Sequence, residues 1–256
     1  FGSTFSSVDY QLQPATCLPP HQNSRSLVGY SLTTISGITI GQPGNCFNGT
    51  TPVPCINHFI TLDQGIYSNK SSAAVYNNLF ENITLPAHTP TTNGAAIFFR
   101  GGNPSPMQLI AGGSNTGEAN RFINCGNGII ARNNVNMRVV RNFFENIQNG
   151  VQSLISYGVS LDMSANSTID VSENIFNQVG SLLSANSGTG IRIRNVNSSS
   201  VNIIGNTFNT LQGTHGDRAI ALLNGTSGTP ANTTFVQGNT IRNTRTGIHL
   251  QNIRGA

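Results

Sequence analysis

The stretch VVRNFFENIQNGVQSL, residues 139–154, decides the fold, because its pattern Asn-x-Phe-x-x-Ile-x-x-Gly-Val returns at least six more times along the chain. A pattern that recurs every few tens of residues is typical of proteins that stack one structural unit repeatedly. Successive copies lie 21 to 42 residues apart, counted between their asparagines. We therefore interpret residues 139–154 as part of one turn of a coil.

Two columns of identical residues define the repeat. The first contains asparagine and the second, two residues later, contains phenylalanine. The asparagine column comprises Asn57, Asn78, Asn120, Asn142, Asn174, Asn206 and Asn239, and the phenylalanine column comprises Phe59, Phe80, Phe122, Phe144, Phe176 and Phe208, with Ile241 in the last turn. Further along each turn a small residue precedes a branched one, as in Gly150-Val151. The shortest turns need about 21 residues, so longer ones must contain insertions.

Each turn is predicted to contain three short strands, because apolar and polar residues alternate between corners rich in Asn, Gly and Ser. The third strand is expected to place an inward residue three positions before each asparagine, which assigns Val75, Gly117, Val139, Val171, Ile203 and Val236. Stacked parallel turns bring equivalent residues about 4.8 Å apart. The sequence thus predicts an all-β parallel β-helix of about seven to eight turns, with an internal phenylalanine stack and an asparagine ladder at a bend.

The composition favours a packed solenoid and excludes several other classes. Only 9% of residues are charged, against roughly 25% in an average globular protein. Disorder is disfavoured because the regular Phe, Ile and Val positions can bury a continuous core. The 13 basic residues and the net charge of +4 are spread along the chain, so no nucleic-acid partner is expected. No run of 18 apolar residues occurs, so no membrane span is expected.

The repeats are expected to fill residues 56–256, while residues 1–55 form an N-terminal cap or a degenerate first turn, with Gly37 to Ile40 as its last strand. No C-terminal cap is apparent after about Asn252. We therefore expect either the rest of a longer chain or self-association, end to end or lateral. Phe1 in place of an initiator Met fits a removed secretion signal.

The four cysteines allow one candidate disulfide. Cys46 and Cys55 flank the turn-rich segment PGNCFNGTTPVPC, residues 43–55, and could close a small loop. Cys125 occupies an inward position and is expected to be a buried thiol, while Cys17 has no obvious partner. One candidate disulfide, few lysines and a Ser/Thr/Asn surface favour an extracellular or cell-surface location.

The repeats resemble those of a known superfamily. Gly205-Asn206-Thr207-Phe208, Gly238-Asn239-Thr240-Ile241 and residues 246–250 are similar to the repeats of the right-handed parallel β-helix superfamily with the pectin-lyase-like fold. The match to the superfamily covers roughly residues 57–252, and the repeats resemble in particular the NosD-like repeats and those of secreted bacterial surface proteins. The resemblance implies a right-handed coil and a cell-surface habit, but no particular reaction.

Catalytic motifs of that superfamily are not found. The Asn-Thr-Asp, Asp-Asp, Gly-His-Gly and Arg-x-Lys motifs of polygalacturonase-like enzymes are absent, and His215-Gly216-Asp217 is the nearest fragment. Nine acids in the whole chain are few for the oxygen cage that Ca²⁺ requires. The histidines show no metal-ligand spacing, so no metal and no cofactor are expected: His21, His58, His88, His215 and His249.

The carboxylates are expected to be solvated. Glu173 and Arg141 occupy one column in adjacent turns and should form a surface ion pair. Glu81 and Glu145 share another column, separated by Ile123. Their expected spacing of about 10 Å exceeds that of a retaining glycosidase pair and is nearer to that of an inverting pair.

A stripe of outward residues on the Gly-Ile strand is the candidate interface: Tyr67, Phe98, Arg100, Ile130, Arg132, Arg192 and Arg194. Contiguous apolar and cationic residues on an outer face mark a contact surface. Its occupant remains open between an insertion or the N-terminal segment, a neighbouring chain, and a glycan that Tyr67, Phe98 and Arg100 would contact. The insertions 84–93, 180–188 and 212–217 should lie along one edge of the coil.

These observations predict a secreted structural or adhesive module of a surface protein or extracellular fibre, without enzymatic activity. The alternative is a carbohydrate-active enzyme, either a polysaccharide lyase or a glycoside hydrolase, or a polysaccharide-binding module of the same fold. No residue is assigned a catalytic role.

Overall fold

Three parallel sheets, A, B and C, run the length of the protein in the computed structural model. The structure describes residues 4–6, 28–33, 37–41, 45–48, 51–54, 56–83, 94–102, 106–133, 135–147, 149–154, 167–179, 188–194, 199–209, 218–223 and 234–252. Each turn of the chain adds one strand to every sheet, and each strand pairs in parallel with its equivalents in the turns before and after. The predicted all-β fold class, a parallel β-helix with three strands per turn, is confirmed.

In the part of the chain that the structure describes, sheets A and B contain eight strands each and sheet C contains seven. Sheet A comprises, in spatial order, β1 (Thr4–Ser6), β6 (Asn57–Ile60), β9 (Asn78–Glu81), β12 (Arg121–Ile123), β15 (Phe143–Ile147), β18 (Ile175–Val179), β21 (Thr207–Asn209) and β24 (Thr240–Arg242). Sheet B comprises β2 (Val28–Thr33), β7 (Gln64–Asn69), β10 (Ala95–Arg100), β13 (Asn127–Arg132), β16 (Asn149–Leu154), β19 (Thr189–Arg194), β22 (Arg218–Leu223) and β25 (Thr246–Gln251). Sheet C comprises β3 (Ile38–Ile40), β8 (Ala73–Val75), β11 (Met107–Ala111), β14 (Val135–Val140), β17 (Ser167–Ser172), β20 (Ser199–Ile204) and β23 (Thr234–Gln237).

The N-terminal segment contributes to the coil. Strands β1, β2 and β3 pair with β6, β7 and β8, so residues from this segment add one strand to each sheet. Strands β4 (Asn45–Asn48) and β5 (Thr51–Pro54) form a separate antiparallel hairpin. The candidate disulfide stays a prediction, because Cys55 lies outside the described residues, as does Cys17. The insertions 84–93, 180–188 and 212–217 fall almost wholly outside them as well.

The phenylalanine column forms a continuous stack inside the coil. Each ring from Phe59 to Phe208 is fully buried. Neighbouring ring centroids are 4.6 to 5.0 Å apart, and their planes differ by 13° or less. The spacing equals the distance between adjacent strands, so the backbone repeat itself holds the rings in contact. Leu, Ile and Val side chains from sheets B and C fill the rest of the interior.

The asparagine column forms a hydrogen-bonded ladder where sheet C turns into sheet A. The side-chain amide of Asn142 donates to Oδ1 of Asn174 at 3.1 Å and to the carbonyl oxygen of Ala111 in the preceding turn at 2.8 Å. Its own Oδ1 accepts from the backbone nitrogen and the side-chain amide of Asn120, at 3.0 and 2.9 Å. The chain of side-chain amides is continuous from Asn57 to Asn239. Each asparagine therefore ties its turn to the turns on both sides.

Residues in the left-handed backbone region form the corners. The residue directly before the ladder asparagine has a positive φ in most turns, with values of 52° to 68° at Asn77, Arg141, Glu173 and Gly205. Asn82, Asn124 and Asn146, at the corner after sheet A, have φ of 48° to 55°. Glycine and asparagine adopt this region at the lowest cost, which explains their abundance.

The small-residue column accommodates the phenylalanine stack. A Cβ atom on Gly190 would lie 2.6 Å from Cε1 of Phe208 and 2.7 Å from the carbonyl oxygen of Ala219. A Cβ atom on Gly65 would lie 2.7 Å from Cδ1 of Phe80. At this position a larger side chain would displace a ring or a neighbouring strand.

One inward position was predicted wrongly. Gly117 was expected in the third strand of its turn, but that strand is β11, in which Ala111 aligns with Val75 and Val139. Gly117 lies in a 3-10 turn, Thr116–Glu118, whose Glu118 exchanges hydrogen bonds with Asn115. Counting back from Asn120 failed because residues 112–119 are an insertion between the strand and the corner.

We expect Asn142→Ala to lower the free energy of unfolding by at least about 2 kcal/mol, because buried hydrogen-bonding groups of Asn120, Asn174 and Ala111 would lose partners. Urea unfolding followed by circular dichroism measures this. Asn239→Ala, in the last described turn, is the matched control, because its side chain is only partly buried and water can replace it. We expect Asn239→Ala to lower the free energy of unfolding by less than about 1 kcal/mol. Equal losses of unfolding free energy in the two variants would show that burial does not set the contribution of a ladder asparagine to stability.

We expect Gly190→Ala to destabilise the protein by about 1 to 3 kcal/mol through the clash with Phe208. Gly247→Ala in the same column is the control, because its Cβ would lie 3.7 Å from Cδ1 of Ile241, an ordinary contact. That variant should be neutral or slightly stabilising, since alanine restricts the unfolded chain. Thermal unfolding distinguishes the two, and an unchanged melting temperature for Gly190→Ala would contradict the packing argument.

Candidate functional site

The outer face of sheet B carries a cluster of arginines. The eight strands of this sheet contain five arginines and no Asp or Glu: Arg100, Arg132, Arg192, Arg194 and Arg218. We call these five residues the arginine face. They are separated by up to 118 positions in sequence, and the parallel stacking of the turns brings them onto one surface.

The strand register sets the arrangement of these side chains. Arg100 and Arg132 are direct neighbours on adjacent strands. Arg194 continues their column two strands further on, beyond Leu154, which aligns with Arg132. Arg192 lies two residues before Arg194, and Arg218 lies on the next strand, aligned with Thr189. With about 4.8 Å per strand, the arginine face extends about 19 Å along the coil, from β10 to β22.

The guanidinium groups influence one another. Burial lowers the pKa of Arg132, and the positive charges of Arg100 and Arg194 lower it further. Burial also lowers the pKa of Arg192, with added contributions from Arg194 and Arg218. These effects on the pKa reflect the repulsion between like charges. Among the described residues, none of the five forms an ion pair.

A small apolar cluster lies beneath part of the arginine face. Phe98 and Ile130 are 4% and 2% exposed and pack with Ala95 and the half-buried Tyr67, apart from the main interior. The rings of Tyr67 and Phe98 are parallel, with centroids 5.5 Å apart, and the Arg132 guanidinium lies 5.5 Å from the Phe98 centroid. Two residues of the predicted stripe, Phe98 and Ile130, are buried where we expected exposed residues, and the role of the stripe as an interface stays a prediction. Phe98 does not offer a ring face to a glycan.

Two polar atoms of this region are buried without a hydrogen-bond partner in the described part of the chain, Oδ1 of Asn69 and Nε of Arg132. Both residues belong to the column that contains Arg100. An unsatisfied buried polar atom costs about 1 to 3 kcal/mol. Unsatisfied atoms in this column therefore lower the free energy of unfolding.

Four of the described carboxylates lie on sheets A and C or at the corner between them. Oε2 of Glu173 lies 2.6 Å from Nε of Arg141, which confirms the predicted ion pair. Asp170, on sheet C, lies 3.9 Å from Arg138. On sheet A, Glu81 lies 3.0 Å from Nε2 of His58. Glu145 aligns with Ile123, which in turn aligns with Glu81, so the two glutamates are two strands apart.

Metal-binding and nucleophilic groups do not gather at this surface. Within the described ranges, no three His, Cys, Asp or Glu residues come close enough to hold a metal ion. Cys125 is a buried free thiol, and burial raises its pKa to about 12. It is therefore protonated and unreactive in the folded protein at neutral pH.

Sequence reasoning missed one residue of the arginine face. Arg218 was not included in the stripe because it is the first residue of its strand, directly before Ala219-Ile220, whereas the stripe was drawn from positions after that pair. It lies on the strand that pairs with the strand of Arg192, and its charge contributes to lowering the pKa of Arg192. The signal that could have found it is the strand composition, since sheet B strands contain arginine but no acid.

We expect Arg132→Met to raise the free energy of unfolding by about 1 kcal/mol, because methionine fills the same space over Phe98 without an unsatisfied donor or a charge beside Arg100. Arg121→Met is the matched control. Arg121 also lies over a phenylalanine ring, 5.7 Å from the centroid of Phe143, but it is exposed. That variant should change stability by less than about 0.5 kcal/mol. Destabilisation by Arg132→Met in urea unfolding would show that Arg132 serves the fold.

The described residues contain no helix that is both long and apolar enough to cross a membrane. No protein-family model, no curated protein and no solved structure matches this chain. The parallel β-helix is therefore established by the structure, and the pectin-lyase-like and NosD-like assignments remain predictions.

Proposed function

We propose that this chain is a non-enzymatic structural or adhesive module that acts outside the cell, in a surface protein or an extracellular fibre. The observation that supports this most directly is the unbroken coupling between turns. Three parallel sheets, a phenylalanine stack and an asparagine ladder join each turn to the next. Such a coil is a rigid rod that holds its outer faces at fixed positions.

The chemistry of the outer surface favours binding over catalysis. Arginine donates hydrogen bonds and carries a positive charge at neutral pH. The arginine face therefore supplies groups suited to recognition, and its strands contain no carboxylate. Asp170 and Glu173 face arginines outside this surface, and Glu81 and Glu145 lie on sheet A. This arrangement also supports the second candidate, a polysaccharide-binding module.

The surface chemistry supports an extracellular location. The charged fraction is 9%, and the chain contains a single lysine, Lys70, among its 13 basic residues. Asn, Ser and Thr supply most of the surface polarity. Together with the candidate disulfide Cys46 to Cys55, these features are typical of secreted proteins.

Two measurements on the purified protein test this proposal. Electron microscopy should show stiff rods, with about 35 Å for each copy of the coil, since sheet B has seven strand-to-strand steps of about 4.8 Å. Incubation with pectin, alginate and dextran sulfate should leave the length of each polymer unchanged in size-exclusion chromatography. Shortening of a polymer that disappears in Glu145→Gln or Asp170→Asn would refute the non-enzymatic proposal.

A further inference from the structure

We infer that the C-terminal end of the coil is an interaction surface for a second copy of this chain, and that two such ends meet in a symmetric dimer. The surface is the last described turn, formed by β23, β24 and β25. We call it the open end. The inference goes beyond the proposed function, because a structural or adhesive module does not require a dimer.

The core residues of the open end are half exposed. Ile248 and Leu250 are 49% and 53% exposed, whereas the residues aligned with them in the preceding turn, Ile220 and Leu222, are 0% and 3% exposed. The same inward columns are therefore covered within the coil and uncovered at its end. Apolar side chains grouped at an uncovered surface favour burial against a partner.

The N-terminal end of the coil is closed. Leu32, on the first strand of sheet B, occupies the same inward column as Leu250 through the continuous register of the sheet, yet it is only 1% exposed. Ile40, on the first strand of sheet C, is 7% exposed. Because the first turn presents no uncovered core, it does not match the open end. A second open end does.

The strands of the open end also present free edges. Each is the last strand of its sheet in the described part of the chain, so its outer edge has no described strand beside it. Proteins commonly protect such edges with proline or with charged residues, lysine above all. Residues 234–252 contain no proline, no lysine and no acid, and their charged residues are Arg242 and Arg245. The open end can therefore accept further strands.

Shape identifies a second copy as the partner. The three edges surround one core, so a partner must present three strands around a core of the same cross-section. Under a two-fold axis the strands of two open ends run antiparallel, and β25 pairs with itself while β23 pairs with β24. Their lengths agree, since β25 has six residues, and β23 and β24 have four and three. Arg242 of β24 then lies beside β23, which carries no charge.

This arrangement brings apolar residues of the two copies together. When His249 of one copy lies opposite His249 of the other, Ile248 of each copy lies opposite Leu250 of its partner. On the other two sheets, Ile241 of one copy packs against Val236 of the other, and both are only partly buried in the single chain. The second copy thus completes the core of the last turn.

The test compares two substitutions of an exposed apolar residue by lysine. Leu250→Lys places a charge at the open end. Ile175→Lys, the matched control, places one on the outer face of sheet A, where Ile175 is 41% exposed. Each substitution raises the net charge from +4 to +5, since one positive charge is added. Neither side chain is fully buried, so both variants should retain the fold, which circular dichroism checks.

Sedimentation equilibrium over a range of micromolar concentrations measures the mass. The wild type should form a dimer of about 54 kDa, twice the chain mass of 27.1 kDa. Leu250→Lys should raise the dissociation constant at least about hundredfold, because symmetry introduces two lysines at the contact. Ile175→Lys should leave it within about threefold of wild type.

A cysteine cross-link tests the two-fold arrangement. Under oxidation His249→Cys should link the two copies by a disulfide, because its equivalents lie opposite each other on antiparallel strands. Ile175→Cys under the same conditions is the control and should give no more cross-linked dimer than the wild type. Non-reducing gel electrophoresis measures the linked fraction.

A monomer at every concentration would overturn the inference, and so would equal weakening of the dimer by Leu250→Lys and Ile175→Lys. A mass that keeps rising with concentration would show head-to-tail joining and overturn the two-fold arrangement. A dimer that His249→Cys does not cross-link would overturn it as well. None of these results concerns cleavage of a polymer, so the proposed function is refuted or retained separately.

Discussion

The asparagine ladder at the corner between sheets C and A is the interaction on which the rest of the structure depends. At a corner the backbone leaves the sheets, so its amide and carbonyl groups lose their strand partners. The side chain of each asparagine replaces those partners, accepting from the preceding turn and donating in both directions, as at Asn142. A carboxylate could not do this, because it only accepts hydrogen bonds, and a hydroxyl has too few donors.

The ladder also fixes the register of the interior. Once each turn starts at the same corner, the phenylalanine two residues later must lie above its equivalent, and the ring spacing follows from the strand spacing. The glycine column then has to stay small beside those rings. Because the constant spacing within each turn serves stacking, these buried residues are unavailable for contacts with a partner. The outer faces are the part of the molecule that can recognise something.

In contrast to the asparagine and phenylalanine columns, the arginines of the arginine face do not serve the stacking of the turns. These residues repel one another, and Nε of Arg132 is buried without a described partner. Like-charge repulsion and an unsatisfied donor do not stabilise the coil, and the same column also contains the neutral residues Leu154 and Leu223, which align with Arg132 and Arg194. Groups kept at a cost in stability are characteristic of binding surfaces.

The sequence by itself determined the coil, because asparagine and phenylalanine recur at a constant offset and that offset is set locally within each turn. It also predicted the Arg141 and Glu173 pair, which depends only on adjacent turns. The tertiary structure determined the positions that counting residues within a single turn could not predict. The insertion before Asn120 displaced Gly117 from its strand, and Phe98 and Ile130 are buried in a cluster with Ala95 and Tyr67. Arg218 joined the arginine face through strand register, because turns of unequal length conceal such neighbours in the linear chain.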